Sequence, residues 1–141
     1  MKRISLDQAN RVIAAAFNKG AELKLKPLSV AVLDPGGHLI AFQRQDGASI
    51  MRFQIASGKA SGALALGVSS RKIGEMAAER PIFVASLGAI AAQGVIPAAG
   101  GVIVVDGSDV LGAVGVTGDT SDNDEVCALA GIAAAGLKTQ G

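Results

Sequence analysis

Two turn sequences constrain this chain more than anything else in it. Asp34-Pro35-Gly36-Gly37 lies between the apolar, β-branched run from Leu28 to Leu33 and a second run from His38 to Arg44. Proline fixes φ and glycine accepts positive φ, so such a tetrapeptide reverses the chain. Asp106-Gly107-Ser108-Asp109 does the same between Val102-Ile103-Val104-Val105 and the run from Val110 to Val116. Gln45-Asp46-Gly47 ends the first pair, and Gly118 breaks the second. Two hairpins of this kind predict an antiparallel sheet.

The remaining segments carry helical spacing. Ser5 and Gln8 form a capping box, and Leu6, Ala9, Ile13, Ala16, Phe17 and Gly20 follow on one face, with Gly20 as the expected end. Ser49 is the expected cap of a second helix, whose apolar line is Ile50, Phe53, Ala56, Ala60, Ala63 and Leu64. Apart from Lys59, its stretch from Ala56 to Ala63 is all small residues, which predicts close approach to another element. Ser70 opens a third helix that must stop near Pro81. A fourth is expected from about Phe83 to Ala92. Thr120 or Ser121 caps the last one, with Asp122, Asp124 and Glu125 in the first turn, where the dipole favours acids. The order is helix, hairpin, helices, hairpin, helix. That is an α+β architecture, and 141 residues suit one domain, 1–141.

Charge and chemistry narrow the function. With 13 basic and 12 acidic residues the chain lacks the basic excess of a nucleic-acid binder. One cysteine, Cys127, and one histidine, His38, exclude disulfides within the chain and the common multi-ligand zinc sites. No charge occurs from Ile82 to Val105, but Gly88, Gly94, Pro97 and Gly100-Gly101 interrupt that stretch. A helix, a turn and a strand explain it better than a membrane span. No apolar segment follows the basic Lys2-Arg3, so the expected compartment is the cytoplasm. A surface rich in alanine and glycine and only 18% charged favours a homo-oligomer, a dimer or a higher even assembly.

A few residues can carry chemistry. His38 can ligate a metal or act as an acid/base, or it can simply hydrogen-bond its own turn. Arg44 and Lys59 border apolar surface and suit a carboxylate. The competing readings are an Arg44–Asp46 ion pair and a Lys59 whose stem covers apolar surface. Strand alternation places Arg44 on the face of Phe42 and Ile40. Gly112, Gly115, Thr117 and Gly118 either face a ligand with bare backbone or pack a helix. No Lys-Ser or Lys-Thr follows these glycines, so they are no phosphate loop. One pocket holding Arg44, Lys59 and Gly115, with His38 at its rim, is the expected site.

The run from Val30 to Ala48, with its Asp-x-x-Gly-His-Leu core at Asp34 to Leu39, resembles the signature of the GlcG/HbpS family of haem-binding-like proteins. Lys59-Ala60, Gly100-Gly101, the block from Gly112 to Gly118 and Asp124-Glu125 match further family motifs in order. Where the family often has methionine between Arg and Asp, this chain has Gln45. Where it often has proline after the double glycine, this chain has Val102-Ile103. The resemblance implies a profilin-like, five-stranded antiparallel sheet flanked by helices, and assembly into dimers or larger rings. It is also similar to the C-terminal domain of PduO-type cobalamin adenosyltransferases. It implies a small-molecule ligand, with haem as the possible cofactor and His38 as its metal ligand. His38, Arg44, Lys59, Gly115 and Thr117 would line the site. The alternative is an enzyme acting on a small organic acid or enone, with Arg44 and Lys59 holding the carboxylate and His38 moving the proton.

Overall fold

A computed structural model of the chain describes residues 2–141; Met1 of the expected 1–141 domain lies outside the described residues. The elements are α1 (Leu6–Glu22), β1 (Ser29–Leu33), β2 (Leu39–Arg44), α2 (Arg52–Leu66), α3 (Ser70–Glu79), α4 (Pro81–Ile90), β3 (Gly101–Asp106), β4 (Asp109–Thr117), α5 (Ser121–Ala134) and β5 (Lys138–Thr139). The sheet is five-stranded and antiparallel, in the order β2-β1-β4-β3-β5. The α+β expectation therefore holds. The capping box at Ser5 forms as expected, but α1 continues past Gly20 to Glu22. Ser49 is not the α2 cap: Met51 holds that position without a side-chain hydrogen bond. Thr120 caps α5, accepting from the Asn123 amide.

The sheet is covered on both faces. On one, Val30, Val32, Val102, Val104, Val114 and Val116 pack with Val12, Ile13, Cys127, Ala128 and Ile132 of α1 and α5. This face carries the larger side chains and most of the apolar burial. Cys127 is fully buried, which pushes its thiol up to about 11 and keeps it unreactive at neutral pH.

The other face is built for closeness. A Cβ on Gly115 would run into the Ala56 carbonyl, and one on Gly101 into the Lys59 carbonyl, so the backbone of α2 rests directly on the sheet. The opposite side of α2 is just as tight. Val95 and Ile96 press against Gly62 and Gly58, and the Ser61 hydroxyl donates to the carbonyls of Gln93 and Gly94 at 3.1 and 3.0 Å. The small-residue run in α2 thus meets the sheet below and the 93–96 segment above.

The β1–β2 register shifts between Val32 and Leu33. The bulge corrects the simple alternation expected for β2. Ile40 packs into the α1/α5 core, whereas Phe42 meets Phe53 of α2 edge to face at 4.9 Å. Ile40 and Phe42 therefore serve different layers, as an extra residue on one strand requires.

Candidate functional site

Asp34 organises the first turn. Its Oδ1 accepts from the amides of Gly36 and His38 at 2.9 and 3.0 Å, and lies 3.2 Å from His38 Nδ1. Burial raises the Asp34 carboxyl. The two amide hydrogen bonds and the adjoining imidazole together outweigh it and hold the group below its ordinary value. The imidazole is 76% exposed. In the tautomer that donates from Nδ1 to Asp34, Nε2 keeps a free lone pair directed away from the turn. An acid that fixes the ring in this way is a common support for a metal-bound histidine.

Two cavities adjoin this turn. Leu33, Leu39, Phe53, Gln54, Ser57 and Gln93 line one of about 350 Å³. The second, about 210 Å³, lies between Pro35-Gly36-Gly37, the Ser61–Ala65 side of α2 and the 91–94 segment. Gln93 belongs to both. The larger is mostly apolar, yet Ser57 Oγ is buried there without a hydrogen-bond partner. A buried hydroxyl left unpaired is costly.

The expected single pocket does not form within the chain. Lys59 is 3% exposed, and its Nζ donates to the Val116 carbonyl at 3.0 Å and to Asp124 Oδ2 at 3.1 Å. Burial lowers its pKa, the Asp124 carboxylate raises it in part, and nearby Arg52 lowers it further. Lys59 is pinned between α2, β4 and α5 and lines none of the cavities described. Gly115 is sealed beneath Ala56, so it packs a helix instead of facing a ligand. Arg44 is exposed at the end of β2 and lines a separate open basin with Gly20, Ala21, Leu25 and Pro27. Neither the Arg44–Asp46 pair nor any other ion pair of Arg44 occurs among the described residues.

Thr117 has an unforeseen partner. Its Oγ1 accepts from Arg52 Nη1 at 2.8 Å. Sequence reasoning passed over Arg52, although one signal was available. A cation in the first turn of a helix opposes the dipole, so its presence there asks for a reason elsewhere.

Comparison with known proteins now bears on this geometry. Residues 4–133 match the family model described as haem degrading protein HbpS-like. The chain belongs to the HbpS-like family. A curated relative from Citrobacter freundii, an uncharacterised 15.0 kDa protein of the dhaT-dhaS intergenic region, is 30% identical over 125 residues, 89% of this chain and 87% of the relative. Among solved structures, the Klebsiella pneumoniae protein ORFY superposes with a TM-score of 0.86 at 28% identity, covering 96% of this chain and 92% of that one. A double mutant of Streptomyces reticuli HbpS gives 0.81 at 27%, over 94% and 87% of the two chains. A PduOC:haem complex shares the fold, with a TM-score of 0.87 at 20% identity over 99% of each chain. The HbpS-like fold explains the order of the sequence motifs. Among the described residues no helix is long and apolar enough to cross a membrane.

Proposed function

We propose that this HbpS-like chain binds haem, whose iron His38 Nε2 would hold and whose macrocycle the apolar cavities beside the first turn would seat. The observation that carries the reading is the Asp34–His38 pair: it lines neither cavity itself, but its turn supplies Pro35-Gly36-Gly37 to one and is flanked by Leu33 and Leu39 of the other. Leu39 and Phe53, both exposed, offer apolar contact to a porphyrin face. The family description and the haem complex known for a chain of this fold support the ligand class. Bound haem would supply a redox-active iron. The protein's own part is to orient the imidazole, fix its tautomer and exclude water from one face. Haemin titration should shift the Soret band, and His38→Ala should reduce both shift and affinity at least tenfold. Asp34→Asn should have a smaller effect, through loss of ring orientation. A spectrum unaltered by His38→Ala would remove His38 as ligand.

The cavities are shallow for a macrocycle in one chain, and a second copy would complete them. Helix α4 supports this assembly. It packs against α3 and no other element, and it carries no charge. Ile82 is 86% and Ile90 81% exposed, and Ile50 and Met51 stand exposed before α2. Patches of this kind are the usual mark of an interface. Sedimentation equilibrium at micromolar concentration should give an even oligomer, and Ile82→Glu with Ile90→Glu should lower the mass. A monomer from the unaltered chain would end this part of the reading.

A further inference from the structure

We propose that the cleft between the start of α2 and the Lys26–Pro27 corner binds a small organic carboxylate, gripped by Arg52 and Lys26. The cleft encloses about 210 Å³, bordered by Lys26, Gly47, Ala48, Ser49, Arg52 and Gly118. It lies apart from the His38 cavities and shares no lining residue with them.

Arg52 is half-buried, and its hydrogen bonds among the described residues go to neutral hydroxyls, from Nε to Ser49 Oγ at 3.2 Å and from Nη1 to Thr117 Oγ1 at 2.8 Å. Those bonds fix the plane of the fork and leave other donors unused. Two other arginines do hold acids. Arg71 holds Glu125 and Asp122, and Arg11 holds Asp7. No carboxylate lies within ion-pair distance of Arg52 or Lys26 among the described residues.

The acids nearby are already engaged. Asp124 holds Lys59 and the Asp119 amide. Asp119 accepts from the backbone of Lys26 and Thr120 and from the Asn123 side chain. Three cations, Lys26, Arg52 and Lys59, therefore stand near two carboxylates, which leaves one positive charge in excess. The first turn of α2 adds the same sign, with no acidic residue and no side-chain cap. A carboxylate fits this gap. It matches the guanidinium fork in two parallel bonds and accepts from the Lys26 ammonium as well. At roughly 30 Å³ for one liquid water, the cleft has room for a short carbon skeleton.

Titration with sodium malonate at fixed ionic strength, followed by calorimetry and amide NMR, tests the site. Saturable binding is expected, with the amides of Gly47, Ala48 and Gly118 moving. Arg52→Gln should weaken it about tenfold or more, and Arg52→Lys should not restore it, because the fork is lost while the charge stays. Arg52 also ties α2 to β4, so Lys26→Gln is the second variant. Lys26 is exposed and its side chain makes no hydrogen bond, so the fold will stand while affinity falls several-fold. Absence of saturation, unchanged affinity in folded Lys26→Gln, or tighter binding of sulfate than of malonate would each overturn the assignment. Haemin titration of the same variants keeps the two sites distinct. Loss of the haem reading would leave malonate binding in place.

Discussion

Replacing Lys59 by alanine should destabilise the fold by about 3–5 kcal/mol, the range for stranding one member of a buried ion pair. Asp124 would lose its cation while remaining almost fully enclosed. Its Oδ1 would still accept from the Asp119 amide, but nothing would neutralise the charge. The Val116 carbonyl would lose its side-chain donor as well. Part of the loss would be steric, since the lysine stem runs beside Gly100, where a Cβ would touch both Cδ and Nζ. Denaturant unfolding with an unchanged slope is the measurement. Lys59→Met combined with Asp124→Leu should recover much of the loss, because paired apolar replacements avoid the stranded charge. A loss below about 1 kcal/mol from Lys59→Ala, as found for exposed pairs, would show that water reaches the pair. A lysine that served a ligand would behave in the opposite way, leaving stability nearly intact and removing binding.

Gly115→Val should be comparably damaging, for a different reason. The new side chain would enter the space of the Ala56 carbonyl, and its Cβ would lie 3.2 Å from that of Ala60. The obstacle is helix backbone, which cannot rotate aside, so α2 must lift from the sheet. Overpacking typically costs 1–3 kcal/mol, and about 3 kcal/mol or more is expected where backbone must move. Gly88→Ala is the control. Nothing lies within 4 Å of that position, and it sits inside α4, so alanine should be neutral or stabilising by up to about 1 kcal/mol. Thermal melts of the two variants should move in opposite directions or differ by many degrees. Equal melting points would mean that α2 does not rest on Gly115.

These two residues show how far the sequence could be read. Turns, caps and apolar periodicity are local, and they placed both hairpins, the Ser5 box and all five helices within a few residues, and narrowed the α5 cap to Thr120 or Ser121. The closeness of α2 to another element was also legible, because glycine and alanine there have no other use. The role of Lys59 was not. Its partner is 65 positions away on α5, and a lysine on an apolar helix looks the same whether it meets a ligand or an internal acid. Burial decided the matter, and burial belongs to the packed molecule. Arg44 was misplaced relative to Ile40 because one bulged residue resets the alternation, and nothing in the composition of β2 announces it. The strand β5 is only two residues, Lys138 and Thr139, and has no pattern to read. It exists because β3 offers it hydrogen bonds at Val104 and Val105. Arg52 left a trace, as a cation at the wrong end of a helix, a position that Arg71 and Lys72 share in α3.

The bulge has a consequence beyond the placement of side chains. An open sheet leaves two borders with unpaired amides and carbonyls, and such borders recruit strands from other molecules into fibrous stacks. Here neither border is a usable template. On the β2 side, the irregular step opposite Val32 and Leu33 twists the ribbon out of plane, and the strand ends in Gln43 and Arg44, both in water. On the other side, β5 stops after two residues and carries Lys138 outward. A chain that is half apolar thus offers intruding strands no straight edge to extend.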